Sequence, residues 1–102
     1  GDTLAHARAL AGRLWVQSKG DASQAATHAW PRVFGRAVKP AESEHAVAFL
    51  QAREAEWTKT APAPGALPTG LPPAATVPPA RGAAWVEWCL ALLNANEFVY
   101  VD

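Results

Sequence analysis

The sequence predicts an all-α fold of about four helices, in an orthogonal or bundle-like arrangement, with a Pro-rich loop between the third and fourth and a short extended C-terminal tail. Three observations predict it. Apolar residues recur at three- and four-residue steps in four separate stretches. Glycine, proline or a capping residue falls between those stretches. Alternation of period two appears only in the last few residues.

The first helix runs from Asp2 to Ser18, with Leu4, Ala7, Leu10, Ala11, Leu14 and Trp15 on one side and His6, Arg8, Arg13 and Gln17 on the other. Asp2 or Thr3 can cap its start, and Lys19 and Gly20 close it, the glycine being free to take the left-handed conformation. Asp21 or Ser23 caps a second helix through Ala25, Ala29, Trp30, Val33 and Phe34, ended by Gly35. Pro31 lies inside it and removes a backbone donor, so a kink and two short pieces are expected.

Pro40 opens the third helix, its fixed φ suiting the first helical position, and Glu42 stands where a capping-box acid belongs if Lys39 is the N-cap. Lysine has no acceptor, which costs this end about 1 kcal/mol against Ser or Thr. Ala46, Val47, Phe49, Leu50 and Trp57 supply the apolar face, and Glu42, Glu44, Arg53, Glu54 and Glu56 the solvated one. The fourth helix begins near Arg81 to Ala83 and carries Trp85, Val86, Trp88, Cys89, Leu90, Leu92 and Leu93, with Glu87 almost its only charge. A helix apolar on nearly every side is packed on nearly every side, so it is expected at the centre. If its neighbours lay upstream of Gly1, the chain alone would expose an apolar patch. Asn94 or Asn96 is expected to end it, leaving Phe98 to Val101 extended.

Between the third and fourth helices, residues 60 to 80 hold seven of the nine prolines and no charge. Such a segment suits polyproline II or irregular coil, and it reads as a spacer or surface excursion. No two of its prolines are spaced as P-x-x-P requires, which argues against a docking motif for proline-reading domains.

The 102 residues fit one domain, and half of them are apolar, enough for a core. Nine basic and nine acidic residues leave no net charge, so no general field favours nucleic acid or an anionic membrane. No apolar run approaches the ~20 residues of a membrane span, and no basic-then-apolar segment opens the chain. A start at Gly-Asp and the lack of methionine are expected of a piece of a longer chain, in which residues 1 to 102 form one helical C-terminal module.

The stretches AWPRVFGRAVKPAE (29 to 42) and CLALLNANEFVYVD (89 to 102) resemble the C-terminal part of a planctomycete-type family, domain of unknown function 1553. Trp30, Arg32, Phe34, Gly35 and Arg36 match its aromatic-x-Arg-x-Leu/Phe-Gly-Arg run, Pro40 and Glu42 its helix start, and Leu92 to Asp102 most of its closing string. TLAHARALAGRL looks like the preceding helix of that family, so the resemblance spans nearly everything but the proline-rich stretch. Departures are Pro31 within the second helix, Lys39 in place of the usual Thr, and Ala95 in place of Ser. The resemblance implies a large exported parent, periplasmic or at the cell surface, often with a haem-binding cytochrome c-like domain. Its partners would be the upstream domains of the same chain. It carries over no activity and no catalytic residue.

A single cysteine, Cys89, excludes an internal disulfide, a cysteine zinc cage or a c-type haem attachment in this segment, and no cofactor is expected here. On a buried face it acts as a small hydrophobe, since nothing beside it in sequence lowers its pKa. His6, His28 and His45 lie on three different helices with no helical ligand spacing, so solvent-facing histidines are expected and no metal site is assigned. The conspicuous polar group is Asn94, Asn96, Glu97, Tyr100 and Asp102. Functionally it could hold a small-molecule or carbohydrate hydroxyl, or a cation. Structurally the asparagines end the helix while Glu97 pairs with Arg32 or Arg36, and this is the favoured reading. The five tryptophans likewise favour an aromatic core over a carbohydrate-stacking platform.

The sequence thus favours a non-catalytic structural or interaction module at the end of a large exported protein. The alternative is that residues 94 to 102 contribute binding or acid-base groups to an enzyme or carbohydrate site shared with upstream domains.

Overall fold

Four α-helices follow in order in a computed structural model, whose described residues are Asp2 to Val99, without the side chains of 97 to 99: α1 (Thr3–Ser18), α2 (Ala22–Phe34), α3 (Pro40–Trp57) and α4 (Pro79–Val99). A 3-10 turn, Pro64–Ala66, interrupts the proline-rich segment, and no strand occurs among the described residues.

The ends form for local reasons. At α1, the N–H of Gly20 donates to the Trp15 carbonyl at 3.1 Å and that of Lys19 to the Val16 carbonyl at 3.4 Å, the paired bonds of a Schellman ending. Lys19, not only Gly20, takes the left-handed conformation, with φ of 54°. Asp21 caps α2 by accepting from the Gln24 N–H at 2.9 Å. Glu42 accepts from the Lys39 N–H at 2.9 Å, half of a capping box, and lysine cannot supply the other half.

Two helix expectations change. α2 is a single helix across Pro31, not two pieces. Proline stands in the last turn on the exposed side, and the Thr27 carbonyl it leaves without an N–H partner belongs to an exposed residue that water reaches. α4 continues through Asn94 and Asn96 to Val99, so Phe98 and Val99 lie in its last turn rather than in an extended tail. Asparagine costs a helix interior well under 1 kcal/mol, and the packed Leu92 and Leu93 hold the preceding turn. Tyr100 to Asp102 lie outside the described residues.

As expected, α4 is the central element. It packs along α1 and α3 and more briefly against α2, and Trp85 and Cys89 are fully buried. The neighbours that enclose it belong to this chain. Trp15 and Trp85 meet edge to face at 4.8 Å between ring centroids, and Trp85 meets Trp88 at 6.2 Å, contacts worth about 0.5 to 1.5 kcal/mol each beyond burial. With Trp30 also buried, the tryptophans form core, and only Trp57 keeps one edge in water. On α3 only Ala46 and Leu50 are buried, while Phe49, expected on the inner face, is exposed.

The proline-rich segment is a strap. Seven prolines without N–H groups leave carbonyls in excess of donors, and Arg8 on α1 supplies donors to two of them, Leu67 at 2.7 Å and Pro64 at 3.0 Å. The Arg8 carbonyl in turn accepts from the Thr69 N–H at 3.1 Å. Leu71 and Val77 of the strap pack against the core. Two helix glycines make room: a Cβ on Gly12 would lie 2.0 Å from the Thr69 carbonyl oxygen, and one on Gly82 would lie 2.9 Å from Pro68 Cδ.

Candidate functional site

Most charged groups that face another element are consumed in joining elements. Glu87 of α4 accepts from Arg53 Nε at 3.0 Å, Arg53 Nη2 at 3.2 Å and Trp57 Nε1 at 2.6 Å, tying α3 to the central helix. Arg81 lies over the Trp15 ring at 4.8 Å, donates to the Gly20 carbonyl and sits 3.6 Å from Glu54. Arg36 forks onto Glu42 at 2.9 and 2.7 Å, fastening the α2 end to the α3 start. That fork, the Lys39 N–H and a weaker pull from the Trp30 indole beyond good hydrogen-bonding geometry hold the Glu42 carboxyl down at about 2.

One cleft is different. On α1, His6, Ala9, Leu10 and Arg13 repeat at helical spacing along one stripe. Arg32 and Val33 reach the same place from the last turn of α2, and Leu93 and Asn96, three apart on α4, complete it. The cavity measures about 360 Å³ and is lined by the apolar Ala9, Leu10, Val33 and Leu93, with the exposed His6, Arg13 and Arg32 at its rim. No carboxylate among the described side chains pairs with Arg13 or Arg32. The Asn96 Oδ1 is buried and has no hydrogen-bond partner among the described residues.

The polar group expected at the chain end is only partly seen. Asn94 is exposed and Asn96 half-buried, because two residues along a continuous helix point to different sides. The Glu97 side chain, Tyr100 and Asp102 fall outside the described residues. His6 and His45 are exposed and His28 half-buried, on separate helices, and no three potential metal ligands gather among the described residues. Cys89 is buried, and burial pushes its thiol well above the ordinary range. The sequence names His6 as a solvent-facing histidine, Arg13 as a solvated residue of α1 and Arg32 as a partner for Glu97, and it places none of them in a common cleft. The seven-residue step from His6 to Arg13 was a signal for the first two, but Arg32 joins them only through the α1 and α2 packing.

No protein-family model, curated protein or solved structure matches this chain. Among the described residues, no helix is long and apolar enough to cross a membrane.

Proposed function

We propose that this chain is a structural or interaction module completing the C-terminal end of a large exported protein. The observation that carries the reading is the use of its charges: Arg8, Arg36, Arg53 and Arg81 each hold one part of the chain to another. These four side chains are thereby committed to shape. The resemblance of residues 29 to 42 and 89 to 102 to the domain of unknown function 1553 family supports the exported parent and its upstream domains as partners. Haem, where the parent carries it, belongs to those domains.

The alternative, that the end of α4 lends binding groups to a shared site, has one observation in its favour, Asn96 lining the cleft with an Oδ1 that has no partner among the described residues.

Reading the frame upstream of the codon for Gly1 tests the proposal. A signal peptide and further domains are the expected result. A start codon directly before Gly1 would overturn the parent and make the chain a self-contained protein.

A further inference from the structure

We infer that the cleft between α1, α2 and the end of α4 binds an organic carboxylate carried on a small apolar body. The inference does not depend on whether the chain completes a larger protein.

Four features of the cleft specify that chemistry. Arg13 and Arg32 come from different helices onto one cavity, and a planar carboxylate can accept a parallel pair of hydrogen bonds from one guanidinium and a further bond from the other. His6, at the same rim, adds a ring N–H donor in either protonation state. Asn96 also lines the cleft and carries an amide nitrogen able to donate to a carboxylate, while its Oδ1 is buried without a partner among the described residues. The floor of Ala9, Leu10, Val33 and Leu93 excludes a fully hydrated ion such as phosphate as the best fit, because it would remain uncovered. A branched chain of a few carbons covers it while the acid meets the rim. The cavity, about 360 Å³, lies at the lower end of the range for small-molecule sites, so the ligand is small.

The guanidiniums are partly in water, so affinity is modest and depends on salt. A dissociation constant on the order of 1 mM is the scale for so few contacts.

The test uses the 102-residue chain, labelled with nitrogen-15, and two probes of nearly the same shape, 4-methylpentanoate and its neutral amide 4-methylpentanamide. The expected result is saturable shifts of backbone amides at Leu10, Arg13, Val33 and Asn96 with the carboxylate, weakened by added salt, and much smaller shifts with the amide. Arg13→Gln and Arg32→Gln each weaken binding by roughly threefold to tenfold and the pair by more. Both residues are exposed, so the variants keep the fold, which their amide spectra show directly. Equal binding of acid and amide, no saturable shift in the wild-type chain, or binding unaffected in the double variant would overturn the assignment.

Discussion

Gly12 of α1 and Thr69 of the strap approach so closely that no side chain fits between them: a Cβ on Gly12 would sit 2.0 Å from the Thr69 carbonyl oxygen. Gly12→Ala in a free helix would raise stability by about 1 kcal/mol. Here the obstacle is backbone, which Arg8 and the Thr69 N–H hold in place, so a net loss of about 2 kcal/mol is expected. Thermal unfolding reads the loss, and limited proteolysis within residues 60 to 80 reads the lifted strap. A more stable Gly12→Ala chain would refute the close approach.

Glu87 takes three hydrogen bonds from α3. Its carboxylate is partly exposed, as is Arg53, so the ion pair itself is worth little, and most of the effect of Glu87→Gln comes from mismatched donors. A loss of about 1 kcal/mol is expected in denaturant unfolding. A double-mutant cycle with Trp57→Phe should show coupling of the two sites, whereas additive losses would mean that the indole N–H contributes nothing to the network.

The Arg36 and Glu42 fork makes stability depend on acid. The Glu42 carboxyl lies at about 2 in the folded chain against an ordinary 4.5, so the folded state favours its ionised form. Its contribution is complete above about pH 4.5 and is lost as pH falls through 2. Melting temperatures of wild type and Glu42→Gln should therefore differ most near neutrality and converge between those limits. A constant difference down to pH 2 would contradict the linkage.

Cys89 is fully enclosed and its thiol is raised by burial. A thiol reagent such as dithionitrobenzoate should react in step with unfolding and not before it. Cys89→Ser places a hydroxyl where burial has removed water and should cost about 1 to 3 kcal/mol. Rapid labelling in native buffer would show that α4 opens locally.

The helices themselves were legible because their causes are local. Leu10 and Leu14 on α1, Asp21 as a cap and Pro40 at a first turn act within a few residues of themselves, and all four hold in the structure. The centrality of α4 was legible too, since Trp85, Trp88 and Cys89 leave it almost no side that water could wet. Errors came where a local preference met a larger packing energy or where the partner lay far along the chain. Asn94 and Asn96 can end a helix, but the turn behind them is held by Leu92 and Leu93. Pro31 breaks helices in general, yet in a last exposed turn it loses a bond that water replaces.

The candidate site was the least legible part. Asn96 stands out in the sequence within a polar group, Arg32 only as a partner for Glu97 and Arg13 only as a solvated residue of α1, and nothing in their own neighbourhoods joins the three. The all-α class, the four helices and the aromatic core were therefore determined by the sequence alone, because apolar periodicity and capping are short-range properties. Tertiary structure decided the rest. Arg8 and Gly12 turned a proline-rich stretch into a strap, and the crossing of α1, α2 and α4 made one cleft from residues on three helices. Both depend on groups from distant parts of the chain meeting at hydrogen-bond or contact distance, which only packing brings about.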